Sequence, residues 1–77
     1  MEVLTFGVTR EIIGHTKLTL KESFSTVGAL RTHLVSSYPE LDKLNSLTIA
    51  VNEVYAEDSD VLNGNDVVAL IPPVSGG

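Results

Sequence analysis

The sequence predicts an α+β fold, a mixed sheet of about five strands crossed on one face by one main helix. Three observations predict it: alternating, strand-like segments near both ends of the chain, a single stretch of helical period between them, and a continuous apolar run near the C-terminus.

The first strand is expected from Val3 to Val8, where residues are mostly β-branched, aliphatic or aromatic, with its end near Gly7. Thr16 to Lys21 alternates strictly, Leu18 and Leu20 against Lys17, Thr19 and Lys21, which reads as a second strand. The connector Thr9-Arg10-Glu11-Ile12-Ile13-Gly14 is longer than a tight hairpin turn. Its two isoleucines are expected to fold back over an edge of the core, with Gly14 supplying a positive φ.

The period then changes. Val27, Leu30, Leu34 and Tyr38 fall on one stripe of an amphipathic helix. Ser25 or Thr26 is placed to accept from an orphan N–H at its start, and Pro39 marks its end. Gly28 costs such a helix up to ~1 kcal/mol relative to Ala, so the stripe carries the assignment. Arg31, His33 and Ser37 lie off the stripe and are expected to face water. After a polar stretch from Asp42 to Ser46, Leu47, Ile49 and Val51 alternate with Thr48, Ala50 and Asn52 as a strand, and a short strand at Val54-Tyr55 returns alongside. Asn63-Gly64 signals a turn. Val67-Val68-Ala69-Leu70-Ile71 is apolar throughout, which predicts a central strand covered on both faces.

That order of elements is the β-grasp arrangement, with a domain over residues 1–71 and a flexible tail over residues 72–77. One helix covers one face of a sheet. Apolar side chains on the opposite face then lack an internal partner, and contiguous apolar surface of that kind marks a protein interface.

Composition narrows the function classes. With 77 residues there is room for one small domain, which lacks the depth to enclose a large substrate cavity, so catalysis within this chain is not expected. The formal charge of −5 repels a phosphate backbone, which argues against nucleic acid and for a partner of basic surface. No cysteine is present, which removes disulfides, thiolate nucleophiles and thiolate metal ligands and suits a reducing compartment. The start of the chain does not read as a secretion signal, and no apolar run approaches the ~20 residues that span a bilayer. A cytoplasmic protein with no membrane association is expected.

The most informative stretch is Pro72-Pro73-Val74-Ser75-Gly76-Gly77. Its prolines hold φ near −65° and favour a stiff, extended exit from the sheet. At ~3.1–3.5 Å per residue such a tail reaches about 20 Å, far enough to enter another protein's active site. Gly76 and Gly77 carry no side chains, so the tip passes a narrow channel and exposes its carboxylate to close approach. Taken alone, a Gly-Gly end is also what a frayed terminus looks like.

The nine residues Ala69-Leu70-Ile71-Pro72-Pro73-Val74-Ser75-Gly76-Gly77 resemble the C-terminal signature of the MoaD family, the ubiquitin-like small subunits of molybdopterin synthase. Arg10-Glu11-Ile12-Ile13-Gly14, Tyr38-Pro39-Glu40-Leu41 and Ala50-Val51-Asn52 also fall where that family has similar residues. Glu53 departs from it, at a position where relatives commonly have glycine or a polar turn residue.

The resemblance implies a sulfur carrier. The Gly77 carboxylate would be adenylated with ATP by a ubiquitin-activating-like adenylyltransferase. It would then receive sulfur from a donor such as a cysteine desulfurase or rhodanese and become a thiocarboxylate. The tail, Pro72 to Gly77, would enter the large synthase subunit, in a heterotetramer of two small and two large chains, and give sulfur to cyclic pyranopterin monophosphate in molybdenum cofactor biosynthesis. ATP would be used by the activating enzyme, and no cofactor or metal is expected on this chain. The resemblance also places Phe6, Tyr55 and Ile71 in an exposed patch that contacts both partners, whereas hydrophobicity alone would put Phe6 and Ile71 in the core. The rival readings are a ubiquitin-like protein modifier and a carrier for another product, such as thiolated tRNA or thiazole. Glu57, Asp58 and Asp60 lack the ligand spacing of a calcium loop and read as a solvated acidic turn. His15 and His33 lack companions at ligand spacing.

Overall fold

The computed structural model describes residues 1–44 and 46–73. The elements follow in the order β1 (Glu2–Thr5), α1 (Val8–Ile13), β2 (Lys17–Thr19), α2 (Val27–Ser37), a 3₁₀ turn (Pro39–Lys43), β3 (Thr48–Val51), β4 (Val54–Ala56) and β5 (Val67–Ile71). The strands form one sheet in the order β2-β1-β5-β3-β4. Among the described residues only β1 and β5 pair in parallel, so the sheet is mixed, with β5 at its centre.

The core lies between the sheet and α2. Val3 from β1, Ile49 from β3, and Val68 and Leu70 from β5 are fully buried against Val27, Leu30 and Leu34 of the helix, and Ile13, Leu41 and Leu62 close its ends. The stripe read from the sequence is therefore the buried face of α2. Thr26 caps it, its Oγ1 accepting from the Ala29 N–H at 3.2 Å. The helix ends at Ser37, ahead of Pro39, whose missing N–H and fixed φ suit the start of the 3₁₀ turn instead.

The structure corrects the sequence reading in four places. The connector from Thr9 is not irregular: Val8–Ile13 forms a short helix, and the first strand accordingly stops at Thr5. Six residues are too few to display a periodic stripe, which hid it. Gly14 does end this helix in the left-handed conformation (φ 85°), donating its N–H to the Arg10 carbonyl at 2.7 Å. The second strand is shorter than its alternation, Lys17–Thr19 rather than Thr16 to Lys21.

Arg31 and His33 are not simply turned to water. Arg31 donates to Asp58 Oδ1 at 2.9 Å and to the Leu47 carbonyl at 2.7 Å, while His33 packs on Phe24 with ring centroids 4.9 Å apart. Gly28 has a tertiary reason that helix propensity cannot show. Its N–H donates to the Asp58 carbonyl at 2.9 Å, and a Cβ there would lie 3.1 Å from both that oxygen and Asp58 Cβ. The acidic turn at Glu57 to Asp60 thus seats directly on α2.

Finally, β5 is central but covered on one face only. Val68 and Leu70 are buried, whereas Val67 is exposed and Ala69 and Ile71 are half-buried.

Candidate functional site

The uncovered face of the sheet gathers three of the exposed large apolar side chains, Phe6, Tyr55 and Val67, whereas Val54 and Val61 lie off it. Strand register sets a row across it, because Leu4 faces Ala69, Ala69 faces Ala50, and Ala50 faces Tyr55. Two alanines in the middle of that row, between Leu4 on one side and Tyr55 on the other, leave a depression. Phe6, Val67 and Ile71 complete its apolar wall, and Asn52 and Glu53 stand at the β3–β4 turn. Tyr55 is 74% exposed and Phe6 42%. An open groove of this make-up is apolar surface without an internal partner.

Phe6 follows β1 and Tyr55 lies on the edge strand β4, and the structure brings them with Ile71 around one groove. Phe6 is held there by local chemistry. Immediately after it, Gly7 takes φ 53° and ψ −130°, a conformation suited to glycine, and turns the chain into α1. The buried Thr9 hydroxyl accepts from the Phe6 N–H at 2.9 Å and donates to the Phe6 carbonyl at 2.6 Å. The same oxygen lies 3.5 Å from the Leu70 carbonyl, which ties this corner to the end of β5.

Strand β5 ends at Ile71, on the groove, and the chain continues into Pro72 and Pro73, both half-buried. Pro72 rests over Gly7, since a Cβ on Gly7 would lie 3.2 Å from Pro72 Cγ. The exit of the tail therefore adjoins the Phe6 corner of the groove. Val74, Ser75, Gly76 and Gly77, the part of the tail singled out by the sequence, lie outside the described residues.

At the opposite corner the β3–β4 turn is made by Asn52 (φ 52°) and Glu53 (φ 71°), both left-handed. Two consecutive residues of this kind are what a tight hairpin turn demands. Asn52 anchors it: its N–H donates to the Val67 carbonyl at 2.8 Å, its Oδ1 accepts from the Val67 N–H at 3.0 Å, and its Nδ2 donates to Asp66 Oδ1 at 2.9 Å. Asp66 Oδ2 accepts from the Asn63 N–H at 2.8 Å, closing the Asn63-Gly64 turn. The Asn63 backbone bond first, and the Asn52 amide second, hold the Asp66 carboxyl below its ordinary value. Sequence reasoning missed both bonds of Asp66: the Asn63-x-x-Asp66 spacing was an available signal for the local one, but the link to Asn52, 14 residues away, had none.

Among the described residues no group of three His, Cys, Asp or Glu side chains is placed to hold a metal ion. Asp60 and Asp58 are instead occupied within the fold, Asp60 Oδ2 accepting from the Glu57 N–H at 2.8 Å and Asp58 pairing with Arg31. No helix among the described residues is long and apolar enough to cross a membrane.

A mixed sheet with its helix on one face, an open apolar groove on the other and a central strand that leads out through two prolines defines a ubiquitin-like β-grasp domain. Comparison with known proteins narrows this. The model of the ThiS family matches residues 3–77. The "molybdopterin synthase sulfur carrier subunit" of Arabidopsis thaliana is 40% identical over 79 residues, covering 100% of this chain and 82% of that one. Among solved structures, small archaeal modifier protein 1 from Methanosarcina acetivorans superposes with a TM-score of 0.83 at 25% identity, over 99% of this chain and 94% of that one. A chain from the complex of subunits 1 and 2 of the molybdopterin-converting factor of Helicobacter pylori 26695 gives a TM-score of 0.68 at 28% identity, over 99% and 96%. The chain belongs to the ThiS family.

Proposed function

We propose that this chain is the sulfur carrier subunit of molybdopterin synthase, acting in the cytoplasm as a sulfur-donating part of a complex whose catalytic residues lie on the large subunit. One observation carries the reading: the strand at the centre of the open apolar face, β5, is the strand that leads into Pro72 and Pro73. A protein that docks on the groove through Phe6, Tyr55 and Ile71 is thereby placed to receive the residues that follow. The full-length likeness to a protein of that name supports it.

The chemistry is that of an activated carboxylate. A free carboxylate is a poor electrophile. Attack of the Gly77 carboxylate on the α-phosphorus of ATP, in the site of an activating adenylyltransferase, gives an acyl adenylate and releases pyrophosphate. The terminal sulfur of a donor persulfide then attacks the acyl carbon and displaces AMP, giving an acyl disulfide. A thiol cleaves its S–S bond, forming a disulfide with the donor sulfur and leaving a thiocarboxylate, a soft anionic nucleophile. Inserted into the large subunit, the thiocarboxylate bonds through its sulfur to a carbon of cyclic pyranopterin monophosphate as an acyl thioester. Water cleaves the acyl carbon–sulfur bond, leaving the sulfur on the pterin and returning the tail to the carboxylate. Each dithiolene needs two such carriers, which suits a heterotetramer of two small and two large chains. Val74, Ser75, Gly76 and Gly77 supply the narrow, side-chain-poor tip, and this chain binds neither ATP nor the pterin itself.

The test is intact-mass analysis after incubation with an activating enzyme, ATP and a sulfur donor. A mass gain equal to one oxygen exchanged for sulfur, lost on deletion of Gly77 with the fold retained, is the expected result. Adducts on the lysines of target proteins in place of that gain would instead make the chain a protein modifier.

A further inference from the structure

Glu53 combines two features that its neighbours do not share. It is the one charged residue among those that line the open groove, whose other walls are apolar apart from Asn52. It is also held at φ 71°, where a residue with a Cβ is strained and glycine is not. Asn52, the other left-handed residue of the turn, belongs to a type that tolerates this conformation and is secured by its bonds to Val67 and Asp66. Glu53 has no such local compensation among the described residues. The ion pairs found there are Glu2 with Lys17, Arg31 with Asp58, and His33 with Glu22, so the Glu53 carboxylate faces solvent beside the groove without a cation. A side chain kept where the backbone prefers none points to a use outside the fold.

We propose that Glu53 is a specificity-determining residue of the docking face, its carboxylate pairing with a lysine or arginine that the large synthase subunit carries beside the apolar side chains it seats in the groove. This rests on the docking reading given above. The geometry suits the role: Tyr55 and Glu53 flank the same corner, so an apolar anchor and a rim charge engage one short segment of the partner. The formal charge of −5 already draws a basic surface toward this chain, and a fixed rim carboxylate converts that general attraction into a preferred orientation. Rim charges of this kind act mostly on the association rate and its salt dependence.

The experiment compares the full chain with its Glu53→Gln, Glu53→Lys, Glu53→Gly and Tyr55→Ala variants, binding each to the purified large subunit and measuring association and dissociation rates at low and high salt. Glu53→Gln is expected to slow association about three- to fivefold at low salt, with little change in dissociation or at high salt. Glu53→Lys slows it further, because two cations then meet. Glu53→Gly is expected to bind as weakly as Glu53→Gln while melting at a higher temperature, since it removes the strain together with the charge. Glu53→Gln and Glu53→Lys associating at the wild-type rate at low salt, while Tyr55→Ala still weakens the complex, would overturn the role of Glu53 and leave the groove as the docking site. If Tyr55→Ala also binds normally, the docking reading itself fails. A lower melting temperature for Glu53→Gly would remove the strain on which the inference stands.

Discussion

The two faces of this sheet are built from the same strands, one residue out of step. Along β5, Val68 and Leu70 point into the core and are 0% exposed, while Val67, Ala69 and Ile71 point the other way and stay in contact with solvent. Both sets are apolar, so hydrophobicity does not separate them. What separates them is that α2 lies over one set and nothing in the described chain lies over the other. The covered face holds the fold together through close packing, and the open face keeps apolar area in water at a standing cost of roughly 25 cal/mol per Å². A small domain with few reserves retains such a surface when another protein covers it.

Matched truncations are the direct way to break this comparison. The largest effect is expected for Leu30→Ala on the covered face, where α2 meets the sheet and the side chain is fully buried. A loss of about 2–5 kcal/mol, read by denaturant titration, fits a core cavity in a domain this small. Retained stability would mean that the helix is not what secures the fold.

Next comes Thr9→Val at the corner between the faces. The substitution removes the acceptor of the Phe6 N–H in a part-buried place, while the Phe6 carbonyl keeps the Thr9 N–H at 3.1 Å, so the cost is about 1 kcal/mol. It also frees the Phe6 corner of the groove, so partner binding should weaken by more than the loss of folded protein explains. Unchanged affinity of the folded fraction would show that the corner does not need to be held.

Tyr55→Ala on the open face is expected to change stability by no more than about 0.5 kcal/mol, with the loss appearing instead in affinity for the large subunit. If the melting temperature falls as far as in Leu30→Ala, the open face is part of the core and the contrast collapses.

The smallest effect concerns Asp66 and sharpens the picture of the turn beside the groove. Its folded pKa is lowered, so its contribution is present above the unfolded carboxylate value of about 3.9 and is lost as pH falls through the lower folded value. Asp66→Asn should therefore reduce the melting temperature slightly at neutral pH and flatten its decline in acid below about pH 4. Identical acid profiles for the two proteins would remove Asp66 as a fastener of the turn.

Much of this arrangement is legible in the sequence. The stripe Val27, Leu30, Leu34 placed the helix, Pro39 and Thr26 bounded it, and Asn63-Gly64 marked a turn, because each is a local signal with a local cause. The short helix at Val8–Ile13 was not legible, since six residues show no repeat. Neither was the engagement of Arg31, which depends on Asp58 and Leu47, 27 and 16 residues away in sequence. For the candidate site, Phe6, Tyr55 and Ile71 were named through family resemblance, and it is the strand register that explains why they surround one groove.

Which residues alternate, where α2 begins and ends, and that a proline pair follows the last strand are written locally in the chain, because backbone stereochemistry and side-chain period act over a few residues. The central place of β5 follows from its continuous apolar run, but which of its two apolar faces is covered is settled by the packing of α2 alone. A run of five apolar residues carries no mark of its own inside and outside. That distinction is created when a helix from elsewhere in the chain settles on one side.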